Sequence, residues 1–220
     1  MFSLLKSRLL CAAALEPRAF TRLNGADFAG RVGTASNPRK IAPVILSNVL
    51  NGNMKIEFDC ISRNAASKAM HAAAIVNAKN VQDMGVFVRP AILPDLPAID
   101  GGKSEGLTVF KIAMFPDVRP HAVSDEAIRF THRIRVSATV DHNELAKNIH
   151  SVYMKKHPLV IECMGDKAMS IVTHAIALFN QRVESHDMVA FVCLKSGTAP
   201  DGTEIAKMEF QLFERASHSI

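Results

Sequence analysis

The amino-acid sequence predicts a mixed α/β (α+β) chain of two tandem β-α-β-α-β-β units, in each of which both helices lie on one face of a mixed sheet. Two observations carry this: one half of the chain repeats in the other, and short apolar runs alternate with helical patterns inside each half. The repeat sets Arg31-Val32 on Arg135-Val136 and Ile41 to Ile45 on Leu145 to Ile149, both 104 residues apart. From Ile56 to Ile61 against Leu159 to Met164 the offset is 103, which brings Cys60 onto Cys163, His71 onto His174 and Asn77 onto Asn180. It returns to 104 at Phe87-Val88 against Phe191-Val192, and is 98 for Leu107 to Phe115 against Ile205 to Phe213. Each change of register falls between predicted elements, where a duplicated chain tolerates insertions. The first is at Asn51-Gly52-Asn53 and the last in the Pro/Gly-rich stretch Pro94 to Gly106.

In order, the second unit reads as strand Arg133 to Ala138, helix Asn143 to Lys155, strand Leu159 to Met164 and helix Ala168 to Gln181, then strands Met188 to Lys195 and Glu204 to Glu214. The last two strands flank Ala199-Pro200-Asp201-Gly202, a Pro-Asp-Gly turn that marks a hairpin. The first unit follows the same plan, with Pro43 tolerable if it lies in the first turn of its helix. Right-handed βαβ crossovers put both helices of a unit on the same side of its sheet. The second helix carries small residues, Ala65, Ala69, Ala72 and Ala73 in one unit and Ala168, Ala175 and Ala177 in the other, which let it approach a sheet closely. The units span 31–115 and 133–215, joined by a charged linker, 116–132, with a short helix expected from Ser124; residues 216–220 form a tail. At about 80 residues each unit buries only a modest core, so docking of the two units, or oligomerisation, is expected.

Residues 1–24 carry Lys6, Arg8, Arg18 and Arg22 against the single acid Glu16, with Phe2, Leu5 and Leu9 at helical spacing. This amphipathic, acid-poor pattern reads as a mitochondrial presequence over 1–30 and a matrix location; a secretory signal is the competitor. The net charge of +5 falls to +3 without residues 1–30, which also hold the acid Asp27, so much of the basic character belongs to the address. That balance permits a polyanionic partner without demanding one. No apolar run reaches the ~20 residues of a membrane-spanning helix, and no membrane partner is expected. Cys11, Cys60, Cys163 and Cys193 stand singly, which predicts buried thiols in a reducing compartment and no zinc site.

Catalytic readings find little support. Gly101-Gly102-Lys103-Ser104 lacks the upstream glycine of a phosphate loop, which falls on Pro97, and a strand follows it. His142-Asn143-Glu144 has no Pro-Cys-x-x-Cys partner, and Ser185-His186-Asp187 sets triad residue types side by side, where they cannot converge. Cys163 with His174 reads as a buried small hydrophobe beside a helix histidine. No enzyme activity, metal or cofactor is expected.

Arg135 to Ile149, the turn Met164-Gly165-Asp166-Lys167-Ala168, the helix through His174-Ala175-Ile176-Ala177 and the Pro-Asp-Gly hairpin resemble the stage V sporulation protein S (SpoVS) family, which is related in fold to Alba, the archaeal chromatin and RNA-binding protein. The likeness covers nearly all of 133–214 and, more weakly, 31–115. It implies a dimeric nucleic-acid-binding fold, so two units in one chain look like a built-in pseudo-dimer, with homo-oligomerisation the other option. The family's Ile-Gly-Ala-Gly-Ala turn, whose free N–H groups can face a phosphate, stands here as Ile61-Ser62-Arg63-Asn64-Ala65 and Met164-Gly165-Asp166-Lys167-Ala168. Only Gly165 keeps a family glycine.

The candidate nucleic-acid-binding residues are therefore Arg63, Asn64, Lys68 and His71 in the first unit and Lys167 and His174 in the second. Asp166 repels phosphate at the second turn, which favours the first unit as the grip. The bland alternative is a solvated helix face for the basic residues and helix packing for the two histidines. With no Trp, one Tyr (Tyr153) and Phe mostly on predicted core strands, stacking platforms for bases look poor. The expected function is a non-catalytic mitochondrial RNA-binding protein in a ribonucleoprotein particle, the mitochondrial ribosome or an RNA-processing complex, touching rRNA or mRNA phosphates and other proteins of the particle. A protein–protein adaptor that has lost the nucleic-acid site, and a nucleoid DNA-binding protein, are the alternatives.

Overall fold

A computed structural model describes residues 26–79, 84–93, 108–118, 131–183, 187–198 and 204–215. Among them, the first half runs β1 (Phe28–Val32), α1 (Pro38–Leu50), β2 (Ile56–Cys60), α2 (Arg63–Ala78), β3 (Met84–Ile92) and β4 (Phe110–Val118). The second half repeats the order: β5 (His132–Val136), α3 (His142–Met154), β6 (Leu159–Cys163), α4 (Gly165–Arg182), β7 (Asp187–Thr198) and β8 (Glu204–Arg215).

The eight strands form one mixed sheet in the order β1-β2-β4-β3-β7-β8-β6-β5. The order is a palindrome of the repeat, so a pseudo-two-fold axis passes between β3 and β7. There Phe87 pairs with Phe191, its own repeat equivalent, and Val88 with Ala190. Each half has a parallel outer pair, β1/β2 or β5/β6, and antiparallel pairs within.

Alternation along the strands sorts the two faces. Ile56, Phe58, Cys60, Ile112, Met114, Val86, Val88, Ala190, Val192, Phe210 and Ile161 point to the helices and are buried. Ala65, Ala66, Ala69 and Ala72 to Ala74 of α2 and the alanines of α4 are fully buried, and these two helices pack on the central strands and on each other, with α1 and α3 outside them. The opposite sheet face carries charge: Glu162 takes Arg133 at 2.8 Å, Lys207 at 3.3 Å and Arg135 at 3.7 Å, and Glu57 takes Lys55 and Lys111. At its centre Phe87 packs on Phe191 at 5.4 Å and on Phe213 at 5.7 Å. Phe58, Phe110, Phe179 and Phe210 do lie in the core, but this cluster lies on the side away from the helices.

The junction of the halves is completed by two asparagines. The Asn77 side chain donates to the carbonyls of Val86 (3.1 Å) and Val192 (2.9 Å) and accepts from the Val86 N–H (2.7 Å). Asn180 donates to Met188 and Pro90 (both 3.0 Å) and accepts from the Met188 N–H (2.9 Å). In the register set by Phe87 and Phe191, Val86 lies opposite Val192 and Pro90 opposite Met188. Each carboxamide thus bridges β3 and β7 at one end of their short ladder, and Pro90, having no N–H, could not have done so itself.

Several expected boundaries move, among them the start of the second unit's second helix, which is Gly165 and not Ala168. Helix α1 begins at Pro38, capped by the Asn37 side chain, so Pro43 sits in the second turn, where it removes an interior hydrogen bond on an exposed side of the helix. Strand β1 starts at Phe28, within the stretch read as presequence, because the Asp27 carboxylate accepts from the N–H groups of Met54 and Lys55 and its backbone joins Lys55. Strands β4 and β5 take in Pro116 to Val118 and His132, residues expected in the linker. The helix expected at Ser124, the turn at 199–202, the Gly101 to Ser104 stretch, Ser185-His186, Cys11 and the tail lie outside the described residues.

Candidate nucleic-acid interface

The turn before α2 ends in Ser62, whose hydroxyl accepts from the Ala65 N–H at 3.1 Å, a standard N-cap. The first turn of α2 then holds Arg63 and Asn64 and no acid, the reverse of what a helix dipole favours. The turn before α4 ends in Met164, which supplies no side-chain cap, and Gly165 adopts φ +79°, a left-handed conformation that glycine takes without strain. Asp166 lies in the first turn of α4 and offsets its dipole.

These two helix starts meet at the pseudo-two-fold axis, where they line one cleft of about 690 Å³. The repeat is visible in its walls: Arg63 is matched by Asp166, Asn64 by Lys167, Ser67 by Ser170 and Lys68 by Ile171. The loops Thr34 and Ala138 to His142 complete the rim. Arg63, Lys68 and Lys167 stand against the one carboxylate of Asp166, so the cleft is net positive and the first unit supplies more of the charge. The Lys68 ammonium also donates to the Thr34 carbonyl, which ties α2 to the β1–α1 loop.

Four of the six expected residues, Arg63, Asn64, Lys68 and Lys167, line this cleft. They come from both units. His71 and His174 do not line it. His71 is half-buried, and burial lowers its pKa, with Asp166 opposing and Arg39 adding to the shift. His174 is pushed down to about 4 by burial first, then by His142 and Arg63, against a smaller opposing pull from Asp141, and is therefore neutral at pH 7. The pattern crosses the axis: Arg63 acts on His174, and its counterpart Asp166 acts on His71.

The residue that sequence reasoning missed is His142. It follows the N-cap Asp141, whose carboxylate accepts from the N–H groups of Asn143 and Glu144, and it lines the cleft. Its ring stacks on His174 with centroids 4.1 Å apart and planes 14° apart. The repeat gave no signal, because Pro38 occupies the equivalent position.

Cys60 and Cys163 are buried free thiols; burial raises both, Cys163 to about 12, so neither is a thiolate at neutral pH. Among the described residues no three His, Cys, Asp or Glu side chains converge as metal ligands, and no helix is long and apolar enough to cross a membrane. No family model matches the chain, and no curated protein matches it significantly.

Proposed function

We propose that this chain is a non-catalytic RNA-binding protein in which two SpoVS/Alba-like units act as a built-in dimer and hold RNA phosphates in the cleft on their pseudo-two-fold axis. The observation that carries the reading is the meeting of two helix N-termini with Arg63, Lys68 and Lys167 in one cleft. Backbone N–H groups and guanidinium or ammonium donors around one concavity are what a phosphate needs. The basic, acid-poor residues 1–24 support a mitochondrial matrix location, and rRNA or mRNA in a ribonucleoprotein particle is the proposed partner.

The adaptor reading has one observation in its favour, the cluster of half-buried Phe87 and Phe213 around buried Phe191 on the sheet face away from the helices, where another protein of the particle could pack. Nucleoid DNA is separated by competing duplex DNA against RNA.

The test is RNA affinity across a salt series for the full chain and for Arg63→Glu/Lys167→Glu, both exposed positions whose reversal leaves the core intact. The proposal expects the log–log salt slope to fall by roughly 1.4, two single-strand phosphate contacts at ~0.7 each. Equal slopes and equal affinities would overturn it.

A further inference from the structure

The cleft holds more than charge. Three rings form a column leading out of the core: Phe110 of β4 packs its edge on His174 of α4 at 5.3 Å and 88°, and His174 stacks on His142 of α3. Phe110 is fully buried, His174 half-buried and His142 has a quarter of its side chain exposed at the cleft. The column crosses the pseudo-two-fold axis, since Phe110 belongs to the first unit and the histidines to the second. His174 Nδ1 is buried without a hydrogen-bond partner, a cost that packing alone would avoid with an apolar residue at this position. The edges of His142 are engaged, with Asp141 3.9 Å from Nδ1 and the Asn143 amide 3.4 Å from Nε2. One ring face lies on His174, and the quarter of the side chain that is exposed is at the cleft that His142 lines.

We infer that His142, backed by His174 and Phe110, is a stacking platform for one unpaired nucleobase, whose phosphate is held beside it by Arg63 and Lys167. The inference rests on the RNA reading above and specifies it: the ligand is single-stranded RNA, not a duplex whose bases are stacked on each other. Imidazole is among the rings on which unpaired bases stack, and the sequence-level count of Trp, Tyr and Phe overlooked it. With His174 uncharged, the platform carries no buried cation pair beneath the base.

Among the described residues, the platform exists on one side of the axis only. The repeat equivalents of Phe110, His174 and His142 are Met208, His71 and Pro38, which make no such column. The cationic Arg63 acts on the histidine side, and the acidic Asp166 on the other. A pseudo-symmetric cleft with one base platform and one basic wall binds a strand in a single polarity.

The experiment uses the full chain with a 12-mer oligoadenylate and inorganic polyphosphate as probes, comparing wild type, His142→Ala, His142→Phe and Arg63→Glu/Lys167→Glu. His142→Ala is expected to weaken oligoadenylate binding roughly tenfold at an unchanged salt slope, and to leave polyphosphate binding as it was. His142→Phe should restore the affinity, and a 2-aminopurine placed in the oligonucleotide should be quenched by wild type and His142→Phe but not by His142→Ala. Oligoadenylate affinity and quenching that do not change in His142→Ala, while Arg63→Glu/Lys167→Glu loses binding, would overturn the platform and leave the phosphate site standing. If the charge reversal also has no effect, the cleft is not the RNA site and both readings fall.

Discussion

Replacing Asn77 with Leu removes a carboxamide that no other group can substitute and puts in its place a branched side chain with the same number of heavy atoms. Three buried backbone groups lose their partner: the N–H and carbonyl of Val86 and the carbonyl of Val192. Asn77 is only 3% exposed, so water cannot take its place. An orphaned buried polar group costs about 1–3 kcal/mol, and partial relaxation keeps three of them to about 3–4 kcal/mol in all. Against a total stability on the order of 5–15 kcal/mol this is a large fraction, and it corresponds to a fall in Tm of roughly 10 °C for a chain of this size. Urea unfolding of wild type and Asn77→Leu, with Asn148→Leu on the exposed face of α3 as the control, gives the difference at constant m-value. A stability within about 0.5 kcal/mol of wild type, the range of an ordinary surface change, would refute the claim that these side chains join the halves.

Gly165→Ala is expected to lose about 1–2 kcal/mol from the left-handed backbone at φ +79° alone, since nothing lies within 4 Å of the added methyl; equal unfolding midpoints for mutant and wild type would contradict this. Because the His174 pKa falls from its ordinary 6.5 to about 4 in the folded chain, the unfolded chain takes up a proton between those values that the folded chain refuses. Stability is therefore full above pH 6.5 and declines as pH falls toward 4, an effect moderated by the half-exposure of the ring. His174→Gln should flatten that decline in urea midpoints taken at pH 7 and pH 4.5, and an unaltered decline would assign it to other groups.

The repeat made much of the fold legible. An offset that changes only between elements tells where elements begin and end, and it singled out Asn77 with Asn180 and His71 with His174 before their roles were visible. It could not tell how the halves meet, because a repeat records what each unit is and not which edge it offers. That is decided by β3 and β7, where Phe87 faces its own equivalent. The location of the cleft followed from that docking, so Arg63 and Lys167, chosen separately for two turns, came together at one place. Pro43 was misplaced because the Asn37 cap and Pro38 start α1 a turn earlier than the apolar pattern required. The charged residues of the sheet face and its Phe cluster read as core or surface equally well from alternation alone, since period two identifies two faces without saying which one the helices cover.

The proposed RNA site is at the axis, between the starts of α2 and α4. Crosslinking the full chain to single-stranded RNA containing 4-thiouridine, followed by mapping of the adducts, tests this directly. The account predicts adducts within 62–68, 138–143 and 164–171. Adducts confined to the opposite sheet face, at strands bearing Arg133, Arg135 or Lys207, or no adducts at all, would contradict it.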